Sequence, residues 1–273
     1  MESIFLSWKS GIVCFFNLVE TVLLTRQIVK NQLLWRKRRE SGVFLMIEVK
    51  DLTKKYGTFT AVDHIDIVAK PGRITVLLGP NGAGKSTTIK SITNLLKFQG
   101  EIKICGYDNT TLEAKRSFGY IPEAPMLYDL LTVEEHIRFI ASAYRVRDGI
   151  EKAEQYLELL EMKEQKKKIA KELSKGMKQK LSMILALLIS PKALLVDEPM
   201  VGLDPISIEK TLHLLTQLKE DGCAILVSTH IIDIMNEVWD DAYIMNHGKI
   251  VSQVSRETMN GSLKELFFQC VGE

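Results

Sequence analysis

Gly79-Pro80-Asn81-Gly82-Ala83-Gly84-Lys85-Ser86-Thr87 fits the pattern G-x-x-x-x-G-K-[ST], and its reading sets the frame for the rest of the chain. The apolar run Ile74 to Leu78 precedes it and the amphipathic stretch Thr87 to Leu96 follows, so the context is strand, loop, helix. Glycines let successive backbone N–H groups turn toward one centre, and a helix starting near Gly84 directs the positive end of its dipole at the same point. Such a loop cradles phosphate. Lys85 would reach the β and γ phosphates of a nucleotide, and the Ser86 hydroxyl would take a Mg2+ position. By average composition the pattern occurs by chance in roughly one chain per hundred of this length, so its meaning rests on its neighbours.

Downstream, Leu194-Leu195-Val196 is an apolar strand that runs into Asp197-Glu198-Pro199, the form of a Walker B strand. A buried Asp197 there would hold Mg2+ directly or through water, and Glu198 is the natural general base for an attacking water. Gly202-Leu203-Asp204 follows as a loop, with Pro205 near the first position of the next helix. Another buried strand, Ala224 to Val227, ends in Ser228-Thr229-His230. Ahead of the Walker B strand, Leu173-Ser174-Lys175-Gly176-Met177-Lys178-Gln179 opens a helix whose apolar stripe is Met177, Leu181, Ile184 and Leu188, ended by Ser190-Pro191.

The regular pattern starts at Met46. Ile47-Glu48-Val49 alternates like a strand, and Ala61 to Ala69 does so again after a turn at Gly57. Between them Tyr56 is placed to stack on an adenine ring, against the alternative of an exposed strand tyrosine. Gly119-Tyr120-Ile121-Pro122-Glu123 reads as a strand stopped by Pro122. Thr132 with Glu135 three residues on is a capping box for a helix carrying Val133, Ile137, Ile140 and Tyr144 on one face. Glu151 to Met162 reads as a second helix. No glycine-rich linker sets this block apart, so about 124–188 is expected to be a helical lobe inserted in the domain 46–273. The end of the chain reads as a hairpin, 242–245 and 249–254, and a short helix near 263–270.

In this order Tyr56, Gly79 to Thr87, Gly119 to Glu123, Leu173 to Met177, Asp197-Glu198, Gly202 to Asp204 and His230 resemble the ATP-binding subunit of an ABC transporter. The resemblance covers Met46 to about Ser255, and a Leu-Ser-x-Gly segment just upstream of Walker B distinguishes this family from other P-loop enzymes. The Ser-Lys-Gly-Met and Tyr-Ile-Pro-Glu versions are similar to those of ABC-2-type exporter ATPases, and Ile121 to His136 resembles the ATPase of Ecs-type exporters. The fold it implies is α/β, the ABC ATPase fold: a P-loop NTPase core with an antiparallel β subdomain and the inserted α-helical lobe.

The resemblance also implies ATP and Mg2+ as cofactors and a second ATPase subunit, most simply another copy, closing head to tail. Each ATP would then lie between one phosphate loop and the other subunit's Ser174 and Gly176, with Ser174 read alternatively as a plain helix cap. Glu198, His230 and Lys85 would be catalytic, His230 at the γ-phosphate end, while Ser86, Asp197 and Glu123 would face the metal. The sequence departs from the commoner family pattern, which has Gly at Lys175 and Gln at both Glu123 and Met177, and a carboxylate at 123 binds a cation but donates no hydrogen bond. Hydrolysis would power a separate integral-membrane transporter subunit, probed by Tyr128 and Leu130, on the cytoplasmic face of the cell membrane. The competing reading is a soluble ABC-type ATPase acting on ribosomes or nucleic acid.

The chain has 273 residues, 46% hydrophobic and 26% charged, enough for a full core, with a formal net charge of +2. That charge is uneven: Met1 to Leu45 holds seven basic and three acidic residues, which leaves the remainder slightly acidic. A near-neutral body argues against a nucleic-acid footprint. The four cysteines lack C-x-x-C spacing, so neither zinc nor a disulfide framework is expected. Residues 1–45 read as an unstructured extension, or as the product of an upstream start codon ahead of a true beginning at Met46, or as a helix on a membrane surface. Ile12, Phe15, Phe16, Val19 and Leu23 at helical spacing and the basic cluster Arg36 to Arg39 support the last.

Overall fold

The computed structural model describes residues 46–272; the readings of 1–45 lie outside the described residues. The chain opens with two long strands, β1 (Ile47–Tyr56) and β2 (Phe59–Ala69), paired antiparallel so that Tyr56 faces Phe59 across the tip. Gly57 takes φ 58 in the two-residue turn between them, a conformation that costs glycine little. β3 (Ile74–Leu78) follows, then the phosphate loop and α1 (Lys85–Ile92). This helix stops four residues short of the Leu96 expected from its apolar spacing. Asn94 turns left-handed at φ 60, and the buried Asn109 amide donates to the Ser91 and Ile92 carbonyls, both at 3.0 Å, supplying the partners a helix end lacks.

β4 (Gln99–Ile104) pairs with β1, and the two-residue β5 (Tyr107–Asp108) with β4, giving a four-stranded antiparallel sheet in the order β2-β1-β4-β5. After a one-turn α2 (Leu112–Lys115), β6 (Phe118–Ile121) ends just before Pro122, as its missing N–H requires. The inserted lobe contains α3 (Val133–Ala143) and α4 (Gly149–Leu159), and α5 (Lys175–Leu188) leads back to the core. The capping box is formed in both directions: Glu135 N donates to Thr132 Oγ1 at 3.2 Å, and Thr132 N to Glu135 Oε2 at 2.7 Å. Tyr144 does not join the buried stripe; it is exposed at the C-cap of α3.

β7 (Ala193–Asp197), α6 (Pro205–Glu220), β8 (Ala224–Thr229), the one-turn α7 (Ile232–Met235), β9 (Asp241–Asn246), β10 (Lys249–Ser255) and α8 (Leu263–Val271) complete the chain. The second sheet has six strands in the order β10-β9-β3-β8-β7-β6, parallel except for β10. Every residue of β3, β7 and β8 is buried, as expected when helices cover both faces of a parallel sheet. The three strand ends that carry chemistry, Leu78, Asp197 and Thr229, come out side by side at one edge of this sheet. In such folds ligands bind there.

Candidate nucleotide site

The phosphate loop is held from three directions. Gly84, the N-cap of α1, has φ 110, and a Cβ there would lie 2.6 Å from the Ala61 carbonyl oxygen and 2.7 Å from Met245 Cε. A Cβ on Gly79 would come within 2.4 Å of the Met245 carbonyl oxygen. Both positions need glycine because other backbone already occupies the space. The turn between β9 and β10 closes the loop from outside: Gly248 N donates to Ala83 O at 2.9 Å, and its own carbonyl accepts from Asp63 N at 2.8 Å. Met245 and Gly248 thus belong to the loop's support, although nothing in their local sequence marks them.

Lys85 is buried at the base of the loop, where its ammonium donates to the Gly79 and Pro80 carbonyls at 2.8 and 3.2 Å. It also stands 3.4 Å from Glu198 Oε1, while Glu198 Oε2 lies 3.0 Å from His230 Nδ1. Glu198 is therefore a buried carboxylate between a cation and an imidazole. Its backbone is left-handed at φ 48, a strained state for a side-chain-bearing residue, held by its N–H donating to Ser228 O at 3.1 Å. The strain aims the carboxylate off the end of β7 into the groove rather than back into the sheet.

Asp197 is completely buried. Its Oδ1 accepts from Ser86 Oγ at 2.9 Å and Ser228 Oγ at 2.5 Å, whereas Oδ2 has no partner. A buried anionic oxygen without a donor is costly. Its position beside the Ser86 hydroxyl suits a hard divalent cation that takes oxygen ligands and completes its shell with phosphate and water. Among the described residues no cluster of three His, Cys, Asp or Glu forms a self-sufficient metal cage.

A groove of about 490 Å3 joins these parts. Asn81, Gly82, Gly84, Lys85, Ser86 and Thr87 line one wall, and Glu123, Glu198 and His230 the other. Gly79, Pro80 and Ala83 lie behind the wall, the first two as acceptors for Lys85. Tyr56 stands at the far end, 47% exposed, with Lys54 Nζ 4.8 Å from its ring centre. Phe59, its cross-strand neighbour, is 65% exposed and lines the same end. Sequence reasoning passed over Phe59; the hairpin register, which puts directly opposed residues on one face, is the signal that finds it.

Ser174 and Gly176 are not brought to this groove. Ser174 is exposed and caps α5, accepting from Met177 N at 3.2 Å, so the plain-cap reading describes its hydrogen bond. A Cβ on Gly176 would lie 2.9 Å from Gly202 O, and the Lys175 stem packs over Gly202, so the start of α5 rests against the loop that follows Glu198. Buried Gln179 adds a further link, donating to Pro122 O at 3.3 Å.

Residues 62–201 match the family model described as ABC transporter. The chain is 34% identical to the ABC-type transporter ATP-binding protein EcsA of Bacillus subtilis strain 168, over 81% of this chain and 89% of that protein. It is 37% identical to the bacitracin transport ATP-binding protein BcrA of Bacillus licheniformis, over 77% of this chain and 69% of that one. A solved ATP-binding subunit of an ABC transporter superposes with a TM-score of 0.78 and 34% identity, covering 82% of this chain and 99% of the other. The dimeric, post-hydrolysis cassette MJ0796 with ADP and Pi bound gives 0.70 and 27%, covering 77% and 98%. The chain therefore belongs to the ABC transporter family as an ATP-binding, ATP-hydrolysing subunit.

Proposed function

We propose that the chain hydrolyses Mg2+-bound ATP in the groove between the phosphate loop and Glu198, as one of two copies closed head to tail, and so drives export through a separate membrane-spanning subunit. The observation that carries this is the division of the site. Lys85, Ser86, Glu198 and His230 line one groove, with Asp197 buried behind Ser86, while the exposed Ser174 and the half-buried Gly176 are not among its lining residues and are left for a second copy's ATP.

Lys85 and the loop amides bind and neutralise phosphate oxygens; on binding, the ammonium exchanges its hold on Glu198 for the phosphate. The cation supplies charge neutralisation at the phosphate oxygens when bound, held by Ser86 and Asp197, with Glu123 at the rim of the groove. Glu198, released from Lys85, takes the proton of the attacking water, and His230 Nδ1 holds the carboxylate in line at 3.0 Å. Tyr56 stacks the adenine. Ser174 keeps its own O–H free while its lone pair caps α5, so it remains a donor toward the γ-phosphate of the ATP carried by the other copy.

The membrane subunit is proposed to dock on the segment that follows Glu123. An apolar groove of about 240 Å3 runs between β6, α3 and α5, lined by Met126, Leu127, Ile140, Tyr144 and Leu185. Met126 and Leu130 are each 79% exposed and Tyr128 61%, an unusual concentration of bare apolar surface. Buried His136 holds this segment: Nε2 accepts from Tyr128 N at 3.0 Å and Nδ1 donates to Thr132 O at 2.8 Å. Among the described residues no helix is long and apolar enough to cross a membrane. In this reading the chain acts at the cytoplasmic face of the cell membrane, reached through that partner. EcsA and the bacitracin transport protein support a transport role, and the SkfA peptide export ATP-binding protein SkfE of Bacillus subtilis supports export.

Affinity capture of the tagged full chain from detergent-solubilised membranes tests the reading. Recovery of a polytopic membrane protein, lost when Met126 and Leu130 are both changed to Ser, is the expected result. Recovery of ribosomes or nucleic acid instead would overturn it. Turnover per chain falling on dilution tests the paired site separately.

A further inference from the structure

On the neighbouring strands β6 and β7 two buried oxygens have no hydrogen-bond partner, the hydroxyl of Tyr120 and Asp197 Oδ2; a third on the same face, Thr75 Oγ1, lies two strands away from Asp197 on β3. β6 and β7 run parallel with Tyr120 opposite Leu195 and Ile121 opposite Val196. In such a ladder directly opposed residues share a face and alternate residues return to it, so Tyr120, Leu195 and Asp197 point the same way. That face is the one α1 covers, because Ser86 at the start of α1 bonds Asp197. Gly119, which alternates with Tyr120, faces α5 instead: a Cβ there would meet Ala186 O at 2.7 Å.

Burial, and after it the charges of Asp197 and Glu123, push the Tyr120 hydroxyl far above the ordinary tyrosine value, so the group keeps its proton and both carboxylates lie within its electrostatic reach. As carboxylates, Glu123 and Asp197 only accept hydrogen bonds, and Glu123 is exposed at the rim of the groove while Asp197 Oδ2 is buried. Ser86 and Ser228 already serve Asp197 Oδ1. Among the described residues, the unpartnered buried donor on the strand next to Asp197 is the Tyr120 hydroxyl.

We infer that Tyr120 is a positioning residue of the metal site: its hydroxyl, through one water, supplies the hydrogen bond that orients the Asp197 and Glu123 carboxylates toward the cation, a donor that an amide at 123 would carry. The inference rests on the proposed metal role of Asp197. Outer-shell partners of metal-binding carboxylates are worth on the order of 10- to 100-fold in metal affinity, which sets the scale of the effect.

The test is Mn2+ binding to the full chain in the presence of a non-hydrolysable ATP analogue, read by the loss of the free-ion electron paramagnetic resonance signal, for the unsubstituted chain, Tyr120→Phe, Glu123→Gln and the double variant. Nucleotide affinity in EDTA and the thermal midpoint are measured alongside. Tyr120→Phe removes one oxygen that bonds nothing in the protein, so the fold and the metal-free nucleotide affinity should hold while Mn2+ binding weakens about tenfold. In the Glu123→Gln background the amide supplies a donor, and the loss caused by Tyr120→Phe should shrink to less than about threefold. Mn2+ affinity within twofold of the unsubstituted chain, an equal loss in both backgrounds, or a parallel fall in metal-free nucleotide binding overturns the inference and leaves the site reading intact. Absence of nucleotide-dependent Mn2+ binding in the unsubstituted chain overturns both.

Discussion

Replacing Glu198 by Gln separates binding from chemistry more sharply than any other change in the groove. The carboxylate sits 3.4 Å from Lys85 Nζ and 3.0 Å from His230 Nδ1. Gln keeps the volume, can turn its carbonyl oxygen to Lys85, and donates its amide to Nδ1 if the imidazole moves its proton to the other nitrogen. Removing one member of a buried pair ordinarily costs ~3–5 kcal/mol because the survivor is stranded. Lys85 is not stranded, since the Gly79 and Pro80 carbonyls still accept from it at 2.8 and 3.2 Å. The expected cost is therefore nearer ~1 kcal/mol, a fall of about 2–4 °C in Tm for a domain of this size. ATP binding should be retained or strengthened, because the phosphates no longer compete with a carboxylate for Lys85. Steady-state hydrolysis should fall ~10^2 to 10^4-fold, the usual worth of a general base. Equilibrium binding of a fluorescent ATP analogue, phosphate release and a thermal melt on one preparation decide it. Turnover within tenfold of the unsubstituted chain removes Glu198 from the base role; weakened nucleotide binding or a Tm loss beyond ~10 °C refutes the account of Lys85.

Gly84→Ala should cost about 2–5 kcal/mol in urea unfolding and abolish nucleotide binding, since the new Cβ would meet Ala61 O at 2.6 Å at a φ of 110; a loss below ~0.5 kcal/mol would show that the loop gives way. Gly176→Ala, with its Cβ 2.9 Å from Gly202 O, should leave ATP binding by a single chain unchanged but lower turnover by ~10- to 100-fold through misplacement of Ser174, and unchanged kcat would argue against the shared site. Burial pushes the Cys105 and Cys223 thiols up to about 11 and about 12. The folded chain disfavours their thiolates, so the stability this represents is whole below ~8.5, the ordinary thiol value, and is lost as pH rises toward 11 and 12. Melts between pH 8 and 11 should show Tm falling over that window less steeply when both cysteines are changed to Ala, and parallel slopes would contradict it.

What could be read from the residues were the features that neighbours in the chain determine. The phosphate loop, the capping box at Thr132, the stop at Pro122, the buried stripe of α5 and the hairpin near the end depend on interactions over a few residues, and their spacing states them directly. The helix after the phosphate loop was read too long because the group that ends it, the Asn109 amide, comes from 17 residues further on. Met245 and Gly248 were invisible for the same reason at greater range: Met245 meets Thr88 from 157 positions away. Phe59 and Tyr120 needed strand register, since their roles come from what lies opposite them and a one-residue slip would turn either to the other face.

The clasp of the β9–β10 turn on the phosphate loop sets an order in time. During synthesis the loop emerges early, but β3 gains its second neighbour, and Ala83 and Asp63 their partners, only once residues 241–248 have left the ribosome. A nascent chain halted before them carries the full nine-residue phosphate signature with β3 open along one edge, a strand ready to pair with whatever is near. The nucleotide cradle is thus finished by nearly the last piece of the sheet, so a chain able to hold ATP is one whose core sheet has been made to the end.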